Sequence, residues 1–215
     1  MTLSTIDPAV ALVVIDLQKG IANPGRQTAH PVPEVVANAV RLADAFRERG
    51  LPVVLVTVTG GAPGRTEVAR AQAEAAAAAG TTIPAWPADF AELLPELEAS
   101  DERTGASTAP DIRIVKRTWG AFHGTALHDE LQARGVTQIV LVGIATSKGV
   151  ESTARAAHEH GYNVTLALDA MTDSSAAAHE GSVANVFPAL GETGTVDEVI
   201  ALLPAGTGTE ASAAK

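Results

Sequence analysis

An aspartate and a lysine each stand directly after a short apolar run: Asp16 after Ala-Leu-Val-Val-Ile at 11–15, and Lys116 after Ile-Arg-Ile-Val at 112–115. In an open parallel sheet, chemistry collects at the carboxyl ends of the strands. Neighbouring strands of that kind would bring the carboxylate and the ammonium together in a partly dry cleft, where each sets the protonation of the other. Gln18, Thr57, Thr59, the segment 143–149 and Asp169 follow other apolar runs and complete a polar rim. The plain alternative is that Asp16 caps a turn and Lys116 reaches solvent. The chain contains no cysteine, which removes disulfides, thiolate metal sites and thiol nucleophiles together. Any catalysis therefore rests on oxygen, nitrogen or bound water.

The remaining titratable residues read as structural. His123 and His128 are five apart, and His158 and His160 two apart, so none of the six histidines has metal-ligand spacing and solvated surface is expected for all. Asp169, and Asp173 with Ser174, read as loop braces and a helix N-cap before Ala176. Glu151 complements a helix dipole. Neither a metal nor another cofactor is expected.

The elements that would hold the rim follow from alternating periodicities. Val-, Ile- and Leu-rich runs at 11–15, 53–58, 112–115, 138–142 and 164–168 are too short for helices and apolar enough for strands buried on both faces. Helical spacing occupies 34–49, 125–134, 150–159 and 176–187, ending at Gly50, Gly135 and Gly161 or before Pro188. An edge strand at 194–196 and a helix at 197–203 close the series. Strand, helix and strand in alternation predict an α/β fold: three layers, doubly wound, around a mainly parallel sheet of about six strands. One domain is expected over 1–204, followed by a disordered tail at 205–215. A glycine-rich turn at 60–64 leads into an alanine-rich helix at 66–79 suited to a surface or an interface. The excursion at 81–110, with Trp86, is expected to build a pocket wall or a subunit contact.

Composition excludes several classes. With 215 residues, 46% of them hydrophobic, the chain can bury one large core. A net charge of −10 without a dense Lys/Arg cluster argues against nucleic acid. The first eight residues lack the basic and apolar regions of a leader, and no apolar run approaches the ~20 residues of a membrane span. A cytoplasmic protein acting on a small molecule, with no membrane partner, is the expectation.

Three segments carry a resemblance: Val-Val-Ile-Asp-Leu-Gln at 13–18, Ile-Val-Lys-Arg-Thr-Trp-Gly-Ala-Phe-His-Gly-Thr-Ala-Leu at 114–127, and Val-Gly-Ile-Ala-Thr-Ser-Lys-Gly-Val-Glu-Ser-Thr-Ala-Arg at 142–155. In this order they resemble the signature blocks of the isochorismatase-like, or cysteine hydrolase, superfamily, with a similarity running from about 11 to 202. The resemblance implies that fold, and a homodimer or higher even assembly. It places the family's catalytic aspartate at Asp16 and its lysine at Lys116, while its nucleophilic cysteine falls on Gly149. Gln18, Trp119, Phe122, Ala145 and Thr146 fall where substrate contacts are implied, and the backbone at 145–149 where amides would face an oxyanion; by residue type alone Gln18 equally suits a local backbone ligand and Trp119 and Phe122 packing anchors.

Glycine cannot form the acyl-enzyme of the family's amidases. The Asp-x-His-x-His pattern of nicotinamidases is also missing from 57–64. Isochorismatases proper resemble this chain in having glycine at that position, and hydrolysis of an enol ether needs only a proton on carbon and water on the resulting oxocarbenium. Three readings follow: hydrolysis assisted by Asp16 and Lys116 without a covalent intermediate, amide hydrolysis with Thr146, Ser147 or water as substitute nucleophile, and a non-catalytic binding or assembly role.

Overall fold

The computed structural model describes residues 3–205 apart from 26–27, 62–63, 84 and 99–109. Most of the tail expected at 205–215, from 206 onward, and parts of the turn at 60–64 and the excursion at 81–110 lie outside the described residues. Six parallel strands form one sheet: β1 (Val10–Ile15), β2 (Val53–Val58), β3 (Ile112–Lys116), β4 (Gln138–Ile144), β5 (Asn163–Thr172) and β6 (Glu192–Gly194), in the order β3-β2-β1-β4-β5-β6. The chain order reverses between β2-β1 and β1-β4, which creates the crevice where open α/β sheets place their sites.

The central strands are apolar throughout because both faces are covered. Along β1, Val10, Leu12 and Val14 pack under α1 (Val32–Glu48) and α7 (Val196–Leu202), with Leu42, Phe46 and Val199. Ala11, Val13 and Ile15 face the other way, toward α3 (Leu127–Gln132), α4 (Glu151–Glu159) and α6 (Phe187–Leu190), with Leu131, Ala154 and Phe187. This is the expected three-layer fold. Helix α2 (Glu67–Ala78) has no buried residue, and Thr66 caps it by accepting from the Ala69 amide. Among the described residues no helix is long and apolar enough to cross a membrane.

Several expected boundaries move. The fifth strand runs past Leu168 to Thr172, because the β4–β5 register jumps: Leu141 faces Leu166, whereas Gly143 faces Met171. Asp169 lies in that irregular stretch rather than on the rim. Its Oδ1 accepts from the Val196 amide at 2.8 Å, and its carbonyl accepts from Asn38. The edge strand is Glu192–Gly194, so Val196 starts a helix that Thr195 and Glu198 cap reciprocally. The helix expected over 176–187 divides into α5 (Ala176–Asn185) and α6, in whose first turn Pro188 is tolerated because no amide donor is needed there. Its N-cap is Ser175, whose hydroxyl accepts from the Ala178 amide, rather than Asp173 or Ser174.

Candidate active site

Asp16 directly follows β1 in a left-handed conformation, φ 54°, uncommon for a residue with a side chain. The turn leaves its amide on the ladder, donating to Val56 O, and sets the carboxyl at the sheet end. Lys116 is the last residue of β3, paired in register with Val58. The strands of the two residues are not neighbours, as the sequence suggested, because β2 lies between them. The lysine's long side chain spans the intervening strand: Nζ donates to Asp16 Oδ2 at 2.8 Å and to the Trp119 carbonyl at 2.6 Å.

The pair is almost dry, Asp16 being 5% and Lys116 1% exposed. Burial pushes the Asp16 carboxyl up to about 6, and the charge and hydrogen bond of Lys116 only partly offset the loss of hydration. Asp16 Oδ1 is the one buried side-chain nitrogen or oxygen without a hydrogen-bond partner among the described residues. A buried carboxyl oxygen left unpaired is costly unless it carries the proton or meets a ligand. Lys116→Met removes the two contributions that hold the Asp16 pKa down. An NMR titration of the carboxyl carbon is expected to show a midpoint above that of the wild type; an unchanged or lower one would contradict this balance.

Gly149 faces the pair from a single π-helical turn, Thr146–Val150, between β4 and α4. A Cβ there would stand 3.2 Å from Asp16 Oδ2 and 3.4 Å from Lys116 Nζ. It would also stand 2.8 Å from Ile15 Cγ2, a branched group with little freedom to turn aside. Gly149→Cys is therefore expected to cost about 1–3 kcal/mol in urea unfolding. Because the chain has no cysteine of its own, labelling of the variant by iodoacetamide reports this one position, and resistance to labelling in the folded protein would place it away from the cavity.

A cavity of about 370 Å³ opens on this pair, lined also by Ala145, Lys148, Gly149 and Trp119. Trp86 and Phe90, stacked with centroids 4.1 Å apart, form another wall, and Ile21, Val32, Val58 and Ile144 make much of the rest apolar. A groove of about 580 Å³ along α1 is larger, but Glu96 is the only titratable group among its described lining residues, so it offers no acid–base pair.

The sequence-predicted residues divide. Asp16, Lys116, Gly149, Trp119 and Ala145 meet at the cavity. Gln18 does not: fully buried, it donates through Nε2 to Val58 O and Phe90 O and accepts at Oε1 from the Val58 amide. It fastens the 81–98 excursion to β2, with both N–H donors of its carboxamide used within the protein. Phe122 is buried against His160 and Tyr162 and serves as a packing anchor. Thr146 is buried too, its hydroxyl 2.8 Å from His179 Nδ1, and Ser147 Oγ donates to Asp173. Both hydroxyls are thus engaged away from the cavity. The amides of Ser147, Lys148 and Val150 are likewise bonded, to Asp173 and to the Ala145 carbonyl, so they offer no oxyanion donors.

Asp173 braces the π turn, and its pKa falls because the Ser147 and Ser175 donors and the charge of Lys148 outweigh burial. Glu151 accepts from Arg155 and Ser182. The histidines are not uniformly solvated. His179 is 8% exposed, its pKa lowered by burial and by His30, and His128 stacks on His160. Lys148 and Phe90 were not singled out from sequence. Lys148 lies inside the rim segment 143–149, so its charge was a readable signal, whereas Phe90 reaches the site through long-range bonds of the 89–94 stretch to Leu17, Gln18, Lys19 and Gly20, which no local pattern announces.

Comparison with known proteins agrees with this geometry. The Isochorismatase domain matches residues 10–198. The uncharacterized isochorismatase family protein YecD of Escherichia coli O157:H7 is 40% identical over 203 residues, 88% of this chain and 94% of the relative. The uncharacterized isochorismatase family protein YwoC of Bacillus subtilis is 40% identical over 192 residues, 88% and 92% of the two chains. Among solved structures, an isochorismatase family protein from Burkholderia thailandensis superposes with a TM-score of 0.76 at 35% identity, covering 93% of this chain and 97% of that one. With Asp16 and Lys116 paired at the sheet end and Gly149 facing them, the chain belongs to the isochorismatase family of hydrolases.

Proposed function

We propose that the protein hydrolyses a small enol ether without a covalent enzyme intermediate, Asp16 acting as the proton donor. The carrying observation is the buried Asp16 carboxyl: one oxygen held by Lys116, the other unpartnered, its pKa raised to about 6, beside a position without a side chain. The proton passes from the carboxyl to the distal carbon of the C=C–O unit, leaving an oxocarbenium ion. Water adds to the oxocarbenium carbon and returns its proton to the Asp16 carboxylate. The resulting hemiketal collapses to a ketone and an alcohol. A carboxyl poised near 6 can both give and recover the proton, and the Lys116 ammonium balances the carboxylate between the two steps. Gly149 leaves room for the water or the reacting carbon where a thiol would otherwise stand.

The engagement of the Thr146 and Ser147 hydroxyls argues against amide hydrolysis with a substitute nucleophile. The test is parallel hydrolysis of isochorismate-type enol ethers and a panel of primary amides and ureido acids by the purified protein. Turnover of the enol ether alone supports the proposal. Turnover of an amide alone, or silence on both panels, overturns it, silence leaving the non-catalytic reading.

A further inference from the structure

We propose that Lys148 anchors a carboxylate of the bound molecule, so that the cavity selects small, ring-bearing carboxylates. The inference takes the same cavity as the site but does not depend on the reaction assigned to Asp16. The protein carries a net charge of −10, and yet two of its four lysines line this cavity, with Asp16 as the only acid among the described lining residues. In an otherwise acidic protein, a cleft with one more cation than anion favours anions over the rest of the surface.

The two lysines are not equivalent. Lys116 is buried and committed to Asp16 and the Trp119 carbonyl. Lys148 is exposed at the cavity wall, and among the described residues it closes no ion pair. Asp173 feels its charge, but the oxygens of Asp173 are engaged by Ser147 and Ser175. This uncommitted ammonium can anchor a carboxylate. It also precedes Gly149 directly, so a carboxylate held there leaves the rest of the molecule beside Asp16.

The walls specify the rest. Both tryptophans of the chain line the cavity and remain 51% and 60% exposed, Trp86 resting on Phe90. Indole faces bury flat rings well, and about 370 Å³ suits one ring with its substituents, near the lower bound of small-molecule sites.

The same tryptophans report binding, because the chain has no others. The experiment is a fluorescence titration of the intact protein with benzoate and with benzamide, its neutral isostere, in the wild type, Lys148→Met and Lys148→Arg. Benzoate is expected to bind the wild type about tenfold more tightly than benzamide. Lys148→Met is expected to remove that preference while leaving benzamide affinity unchanged, and Lys148→Arg to keep most of it. Equal affinity for both probes in the wild type, no saturable benzoate binding, or benzoate binding unaffected by Lys148→Met would overturn the proposal. Since the readout needs no turnover, a protein that prefers benzoate but hydrolyses nothing contradicts only the assignment of Asp16. One that hydrolyses an enol ether without the preference contradicts only the anchor.

Discussion

Asp16→Asn is expected to lower kcat/KM for an enol ether by about 10²- to 10⁴-fold, the usual contribution of a positioned general acid, while leaving the protein folded. The amide is close in shape to the carboxyl and can still accept from Lys116, which also keeps the Trp119 carbonyl, but it has no transferable proton of suitable acidity. The variant should stay folded at neutral pH, because the wild type there already bears the cost of burying this carboxyl, the largest influence on its pKa. The wild-type pH profile supplies the matching test. A required acid with a pKa of about 6 gives a rate that is flat below that pH and falls about tenfold per unit above it. A rate that rises through pH 6 would instead make Asp16 a base.

The same group links to folding. Its folded pKa of about 6 lies above the ordinary 3.8, so between those values the folded state holds more proton than the unfolded one. Its contribution to stability is therefore greatest below pH 3.8 and declines as pH rises to about 6. Urea midpoints of the wild type and Asp16→Asn measured between pH 4 and 7 should diverge with that slope. Parallel lines would show that the carboxyl is not perturbed as the structure indicates.

Gly143→Ala is expected to be far more damaging to the fold, by about 4 kcal/mol or more. Gly143 sits in β4 opposite Ile15, at φ 119°, where L side chains are strained. A Cβ there would stand 2.0 Å from the Ile15 carbonyl oxygen and 2.8 Å from the Ile15 backbone nitrogen and carbon. No rotamer relieves a clash with backbone, so the end of β1 would have to leave β4. Because Ile15 precedes Asp16, the displacement would carry the carboxyl away from Lys116. Soluble expression and the urea midpoint check this directly: a variant as stable as the wild type would mean that the two strands do not approach so closely.

The fold was legible because burial on both faces demands continuous apolar runs. Four of the six strands announced themselves that way; the edge strand β3 was found by its apolar content but is covered on one face only, Arg113 and Val115 being exposed, and the short edge strand β6, Glu192–Gly194, was placed two residues late because it has no such run. Asp16 and Lys116 were legible because each charge stands directly after an apolar run, which places it at a strand end. Gln18 and Phe122 could not be assigned from type alone. A glutamine after a strand can meet substrate or backbone, and only the return of the 81–98 excursion, which brings Phe90 O within 2.8 Å, makes it a backbone fastener.

By itself, then, the sequence determined the α/β class, the strand-end positions of Asp16 and Lys116, the absence of a thiol, and the glycine at 149, since each is a property of local pattern or residue type. Tertiary structure alone decided that β2 lies between Asp16 and Lys116, that a lysine side chain spans it, and that Lys148 and two tryptophans share their cavity. Those facts depend on strand order and loop paths. Both are set by packing between residues 100 or more positions apart in sequence, over which no local periodicity carries information.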